Sequence, residues 1–589
     1  MKKIILSAIV SSALMLGAVG CGDNSNKATS HAKVQKVDKK VSTEDRKKAL
    51  QSRIQGYAKY GFDINQTSAN SYLLSVKEPA KSVDLFLNIF NLGYSLDTED
   101  KQELQEIFKD AKFDVSVDWD KYVSNTPRSV EVNYIGKGGE IKDIKKLLSE
   151  KKVGAYLTYQ GSAELKKIEF KNLNETISEN NETVKVSLKD TVVDIKQLPD
   201  ETNDKRVYTI SSKEMDIGFL DEFGSMSVAG YKDLICDIDK SNAYLGSQDC
   251  KIPTINMILD KSGSDETNIT MNNLVYGYAT HANKGKADED IAFKIDSIDI
   301  NKAFSINDIK ANLKVANIDE NILKEYMQLM ENPSSDAQKD LAKLMKLAGE
   351  IYSGGATMDY TLAIDNIKGS GEGIEFALNG YKDTGKAKFD SNITYDDKST
   401  IKLIKLSDAT NKANAFELSD FRFGYGIYDL FNLIPGAMDM LGDISTETNA
   451  TKVDEIVQNK GMKVAQNVLN QGFGIYIKPL GYDAIKFSDT SSKTNFDLGK
   501  TDIQLDVKLL KNDLKADIDN PMMPMMLLSY LKADGKITIP AKDLQTLSKN
   551  PSFAMIGMFM MMAKMEGDNA VFVIEFKDGK LLVNGQPMM

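Results

Sequence analysis

Histidine, cysteine, tryptophan and proline are scarce in this 589-residue chain, at two, three, one and twelve copies. With only His31 and His281 available, mechanisms that need a histidine pair or cluster are excluded, the common zinc hydrolase sites among them. No Gly-x-Ser-x-Gly elbow occurs to pair with His281, which lies in Thr280-His-Ala-Asn-Lys-Gly-Lys286 and is expected in an exposed loop. Basic residues number 74 against 85 acids, a formal charge of −11. Affinity for nucleic acid comes mostly from neutralising phosphates, so a net acidic chain without a dense Lys/Arg face is not a duplex-binding protein. Beyond the N-terminus no apolar run reaches membrane-spanning length. Hydrophobic residues still supply 42%, enough for a sizeable core, and the length allows roughly two to four domains.

What is present begins with an address. Lys2-Lys3 precedes an apolar run from Ile4 to Val19, and Ala18-Val19-Gly20-Cys21 has the form of a lipobox. Residues 1–20 are therefore expected to be a lipoprotein signal peptide, with Cys21 the lipidated N-terminus of the mature chain; an uncleaved anchor is the alternative. Residues 21–45 form a Lys-rich, solvated tether with almost no large apolar side chain. The expected location is the bacterial cell envelope, lipid-anchored and facing the periplasm. Gly22, which is not the aspartate that retains many enteric lipoproteins inside, favours the outer membrane over the inner. In that oxidising space Cys236 and Cys250, which flank a turn-like segment, are expected to pair.

Apolar periodicity predicts a β-rich α+β fold, with extended antiparallel sheets and short covering helices preceded by a smaller mixed α/β unit. The expected divisions are 46–170 for the mixed unit, 171–300 for a β-rich region and 301–589 for a β-rich domain with helical pairs. Helical spacing marks 47–60, 82–96, 98–109 and 141–151, then 320–330 and 335–348, which either lie across a sheet as a lid or pack as a hairpin, and finally 451–469. Strand alternation marks Val115, Val117 and Trp119, and later Ile291, Phe293 and Ile295; Met358, Tyr360, Leu362 and Ile364; and Ile503, Leu505 and Val507. Tyr425-Gly-Ile-Tyr428 and Phe473-Gly-Ile-Tyr476 are two similar strings, too short to establish a repeat.

Several motif-like strings fail on chemistry. Gly380-Tyr-Lys-Asp-Thr-Gly385-Lys386 has P-loop spacing, but Ala387 stands where a hydroxyl must hold magnesium, and the alternation around it predicts strand, hairpin turn, strand. Asp237-Ile-Asp239-Lys-Ser241 opens like a calcium loop but has Asn242 at the required glycine and Gln248 at the bidentate acid. The most distinctive composition is a methionine-rich end, with ten methionines within residues 522–565. Core packing, a pliable surface for acyl chains or a variable partner, and thioether binding of copper(I) are three uses open to such a run. No metal site or cofactor is assigned.

After this run come Val571-Phe-Val-Ile-Glu-Phe576, the Asp578-Gly579 turn, Leu581-Leu-Val583 and Asn584-Gly585-Gln-Pro-Met588. At these residues, and more loosely back to about residue 300, the chain resembles the YdgA family of bacterial cell-envelope proteins, whose members have no assigned activity. The resemblance implies an envelope role and supplies no catalytic residues. Family members usually look anchored by an N-terminal apolar segment, so the lipobox is a departure in anchoring.

The leading expectation is a non-enzymatic binding module for lipid or another apolar ligand. Its expected surface combines Phe421, Phe423 and Tyr425 from an aromatic run with Met555, Met558, Phe559 and Met562 from the methionine-rich end. A structural or assembly protein that uses the same surface for an envelope protein is the second reading, and a hydrolase with carboxylate chemistry is the third. No catalytic residue is assigned. The membrane is the expected partner through the N-terminal lipid, and nucleic acid is not.

Overall fold

The computed structural model describes residues 42–90, 111–124, 130–135, 153–159, 163–179, 182–197, 205–220, 226–241, 245–259, 267–331, 337–390, 392–431, 433–447, 449–491, 494–514, 522–548, 560–577 and 579–588, with isolated positions between 101 and 109. The signal peptide, Cys21, the predicted helix at 141–151, and Met555, Met558 and Phe559 lie outside the described residues. The chain forms two compact units, residues 1–279 with 327–335, and residues 280–326 with 336–589. Both are strand-rich, and large antiparallel sheets dominate.

The first unit opens with α1 (Thr43–Gly56), where the Ser42 hydroxyl accepts from the Asp45 N–H and caps the helix. A 3₁₀ turn, Tyr57–Tyr60, ends at Gly61, whose φ of 85° is a glycine conformation. The chain then builds a four-stranded antiparallel sheet in sequence order from β1 (Phe62–Ser68), β2 (Ser71–Val76), β3 (Lys112–Val117) and β4 (Val130–Ile135). Helix α2 (Pro79–Phe90) follows β2, and α3 (Trp119–Val123) follows β3. Alternation buries Tyr72, Leu74 and Val76 of β2 and Phe113, Val115 and Val117 of β3, and Leu50 and Ile54 of α1 are buried as well. Trp119, expected to continue the strand, starts α3 instead, because the Asp118 carboxylate accepts from the Lys121 N–H and caps a new helix.

Long strands follow: β5 (Val153–Tyr159), β6 (Ala163–Glu179), β7 (Glu182–Gln197), β8 (Arg206–Leu220), β9 (Met226–Lys240), β10 (Gly246–Leu259) and β11 (Thr267–Asn283). From β5 to β10 each pairs antiparallel with the next. Cys236 of β9 stands directly opposite Cys250 of β10, with Cα atoms 4.0 Å apart, and the two are joined by a disulfide.

The second unit repeats the meander. The elements from here on, in chain order, are β12 (Lys286–Ile300), β13 (Phe304–Asp319), α4 (Glu320–Glu331, whose last turn is counted with the first unit), α5 (Ala337–Ser353), β14 (Ala356–Gly371), β15 (Ile374–Phe389), β16 (Asn392–Asp408), β17 (Ala415–Phe431), α6 (Leu433–Thr446), α7 (Ala450–Ile456), α8 (Met462–Gln471), β18 (Phe473–Tyr482), β19 (Ala484–Asp489), β20 (Thr494–Leu498), β21 (Thr501–Leu509), α9 (Met523–Leu528), β22 (Leu531–Pro540), α10 (Ala541–Ser548), β23 (Lys564–Glu566), β24 (Asn569–Lys577), β25 (Lys580–Val583) and β26 (Gln586–Pro587). Strands β12 to β18 are neighbours in order; β21, β22 and β24 then continue the sheet, and β19 with β20 pairs on the other half of β17. Helix α5 packs mainly on α6, where Gly442 lets the α6 backbone approach the Ala342 carbonyl. The sheet is touched by α5 at β13 and β14, and by α8 at β17. Among the described residues no helix is long and apolar enough to cross a membrane.

One device recurs along these strands. Apolar positions alternate by two, then skip once by three: Leu188 to Thr191 to Val193 in β7, Ile306 to Ile309 to Ala311 in β13, Leu418 to Phe421 to Phe423 in β17. Strict alternation would put the two halves on opposite faces. On every second strand, one residue in the gap has positive φ: Asp190, Asp233 and Asn273 in the first unit (48°, 54° and 52°), and Asp308, Gly380 and Asp420 in the second (56°, 62° and 49°). All are Asp, Asn or Gly, the residues that enter the left-handed region most readily. Such a residue breaks the half-turn rotation of an extended chain and resets the alternation, so both apolar stretches can serve one face.

This corrects the expected hairpin at Gly380–Lys386. The segment lies inside the single strand β15, paired on both sides, and Gly380 is a kink in it.

Candidate functional site

Register fixes one apolar face of the second unit's sheet. Ile295, Ile309, Ile364 and Tyr381 form one row across β12 to β15. Phe423, Leu480, Ile503, Ile537 and Phe572 form another across β17, β18, β21, β22 and β24. Ile295, Ile309 and Phe572 are buried and Ile537 packs against the cluster containing Leu544 of α10, but Phe423, Tyr425, Leu480 and Ile503 are only half-buried, so this part of the face keeps solvent-accessible apolar surface. Phe421, Phe423 and Tyr425 share it by alternation, and the Phe423 and Tyr425 rings stack at 5.5 Å. Met562, together with Met560, packs against the cluster of Leu544, Phe572 and Val583. Phe423 of the aromatic run and the Phe572 on which Met560 and Met562 pack therefore stand in one row of one sheet, while Met522, Met525, Met526, Met561 and Met565 are exposed.

In the middle of this face sits a polar network. Tyr360 of β14 lies across Gly385, its direct partner on β15, where a side chain would overlap the ring. Its hydroxyl donates to Asp397, the residue paired with Gly385 on β16. Tyr395 donates to the same Asp397 oxygen at 3.0 Å, its hydroxyl is 3.0 Å from that of Tyr360, and its ring lies 5.6 Å from Tyr425. Asp397 is 5% exposed. On the neighbouring strand β15 Asp383 accepts from Ser399 at 2.9 Å, and the Asp397 carboxyl is one of the groups that shift its pKa.

Burial is the first cause of every pKa displacement in this network. It raises Asp383 above the ordinary carboxylate range, with the neighbouring Asp397 adding to the effect. Burial, then the Asp397 hydrogen bond, pushes Tyr360 up to about 12. Tyr381 and Tyr395 are raised too, first by burial and then by neighbouring acids or hydroxyls. The raised tyrosines keep their protons at neutral pH, so the network presents hydroxyl donors beside its carboxylates to whatever lies on the face.

The opposite, polar face explains the two similar strings. Tyr428 pairs with Gly474 and Tyr476 pairs with Gly426, so each string's tyrosine lies flat over the other's glycine, with ring centroids 6.3 Å apart. Tyr428 donates to Asp506 at 2.7 Å and Tyr476 donates to Asp396. Lys508 sits 5.1 Å above the Tyr428 ring and 2.9 Å from Asp429. The strings form a reciprocal clasp between β17 and β18.

His281 is exposed, as expected, but in strand β11 and not in a loop, because the hairpin turn falls later, at Lys284-Gly285. Sequence reasoning missed Tyr360, Asp383, Tyr395 and Asp397 as a group. Their signal was acids at positions in apolar phase, Tyr381-x-Asp383 and Tyr395-x-Asp397 on adjacent strands. Among the described residues no group of three or more His, Cys, Asp or Glu is placed to hold a metal. No family model matches the chain, and neither does any curated protein or solved structure.

Proposed function

We propose that the second unit is a non-enzymatic binding module for an amphipathic lipid, carried by an envelope lipoprotein tethered through Cys21 in the periplasm. The carrying observation is the half-buried apolar face interrupted by one buried polar network. Alkyl chains lie along Leu362, Ile364, Phe423 and Leu480, while the hydroxyl and carboxyl groups around Asp397 hold the polar part of the ligand. Half-buried apolar side chains are the ones a ligand still has something to gain by covering. The lipobox and the likeness of the terminal hairpin to the YdgA family support the envelope placement and nothing finer.

A second reading is an assembly protein that binds another envelope protein. It is favoured by the exposure of Met522, Met525, Met526 and Leu528 around α9, an apolar cluster on the surface.

The test is organic extraction of the purified protein followed by mass spectrometry, for wild type, Phe423→Asp and Asp397→Asn. Lipid in wild type, lost in Phe423→Asp and altered in head-group class in Asp397→Asn, is the expected result. Wild-type protein that carries no lipid and takes up none from mixed vesicles sinks the lipid reading, and co-purification of one envelope protein lost on substituting Met525 and Met526 selects the second.

A further inference from the structure

The polar face of the same sheet carries a basin of about 680 Å³, lined on β16, β18, β21 and β22 by Asp396, Lys398, Tyr476, Lys478, Gln504, Asp506, Asp534 and Lys536, with Pro479, Leu505 and Gly535 among them. Its depth has a sequence cause. Strand β17 runs between β16 and β18, and at this point it offers only Gly424 and Gly426, so the floor there is backbone. Above Gly426 lies the Tyr476 ring, held flat by its hydroxyl's bond to Asp396. One wall is raised by a bulge: the register of β18 with both neighbours shifts between Ile477 and Leu480, which throws out Lys478 and Pro479.

We propose that this basin is a binding site for a neutral oligosaccharide. Three lysines balance three aspartates, which gives no net field to hold a nucleotide, a phosphate or another polyanion. The aliphatic part of the lining is Pro479 and Leu505, a small apolar patch among the polar groups, and the extended aliphatic rows an acyl chain could lie along are on the other face. What remains is a flat aromatic platform ringed by donors and acceptors, which matches a sugar ring with an apolar C–H face and a rim of hydroxyls. The volume is in the range of small-molecule sites and takes a ligand of a few rings.

Among the described residues, the side chains of Lys478, Gln504 and Asp534 make no hydrogen bond or ion pair, and all three residues are exposed and line the basin. Asp534 also stands directly opposite Asp506 and Glu575, an arrangement of like charges that destabilises a sheet. A ligand whose hydroxyls donate to these carboxylates relieves that repulsion.

The test is the full folded chain on an array of immobilised neutral, sialylated and phosphorylated oligosaccharides, followed by titration calorimetry with the best free oligosaccharide. Gln504→Ala, Asp534→Ala and Asp534→Asn are the variants; all three sites are exposed and outside the tyrosine clasp, and unchanged thermal midpoints check folding. The expected result is binding to a neutral class, weakened tenfold or more by Gln504→Ala and Asp534→Ala, less by Asp534→Asn, and untouched by Phe423→Asp. A silent array, binding restricted to phosphorylated or sialylated probes, or neutral binding indifferent to the basin variants overturns the proposal. Because Phe423→Asp tests the apolar face alone, failure of the lipid reading and failure of this one are separable.

Discussion

Gly474→Ala tests whether the tyrosine clasp is a designed contact between β17 and β18. The added methyl group would overlap the Tyr428 ring, whose atoms already occupy the space over Gly474. Overpacking of this kind costs roughly 1–3 kcal/mol. Lifting the ring also breaks the 2.7 Å bond from Tyr428 to Asp506, worth about 1 kcal/mol at this half-exposed position. Against these, replacing glycine restricts the unfolded chain and returns about 0.4–1 kcal/mol. The net expectation is a loss of about 2 kcal/mol, or about 3 °C in the thermal midpoint of a unit of roughly 300 residues. Gly371→Ala is the control, since nothing lies within 4 Å of its Cβ position, and it should stay within about 0.5 kcal/mol. The decisive measurement is a double-mutant cycle by thermal and guanidinium unfolding. With Tyr428→Ala in place there is no ring to displace, so Gly474→Ala should become nearly neutral, giving a coupling of about 1–2 kcal/mol. Additive effects, or a Gly474→Ala loss no larger than that of Gly371→Ala, would refute the clasp.

Three further outcomes are expected. Asp383 has a folded pKa raised above its unfolded value, so its contribution to stability is greatest below about pH 4 and is lost as pH rises through the folded value; Asp383→Asn should raise the thermal midpoint relative to wild type at pH 7 and not at pH 3.5, and a pH-independent difference would remove the burial argument. Asp420→Val forces a β-branched residue to a φ of 49° and should cost about 1–2 kcal/mol or more in equilibrium unfolding, while Asp420→Gly stays near neutral; equal effects would mean that the kink is not set by this residue. Asn584, at a φ of 49°, donates to the carbonyls of Met562 at 2.6 Å and Val571 at 3.0 Å and accepts from the Val573 N–H at 2.9 Å. Asn584→Asp replaces both donated bonds by oxygen facing oxygen and should cost about 2–4 kcal/mol, with hydrogen exchange of β24 accelerating first; protection equal to wild type would show that the turn holds without it.

The sequence by itself determined the local features of this protein. Period-two alternation in residues such as Ile291, Phe293 and Ile295 is a property of each strand alone, and it identified a β-rich α+β chain with large antiparallel sheets. Helical spacing placed α4 and α5 to within a few residues, and Asp578-Gly579 marked the turn between β24 and β25, where Gly579 has positive φ. Even so, helix α6 went unread, and Gly380 suggested a turn because a single left-handed residue looks the same in sequence whether the chain reverses or only kinks. Only the ladders on both sides of β15 decide between them.

Tertiary structure decided everything that depends on register. Tyr428 meets Asp506 across 78 residues and Tyr476 meets Asp396 across 80, so no local pattern announces either contact. The two Gly-Ile-Tyr strings were visible in the sequence, but their meaning came from antiparallel pairing, which sets each glycine under the other string's tyrosine. Asp397 is equally invisible as a buried acid until β14, β15 and β16 align Tyr360, Gly385 and Asp397 in one line. Alternation assigns a side chain to a face; which residues then stand opposite one another is fixed by pairing between distant strands, and the polar network, the clasp and the basin all follow from that pairing.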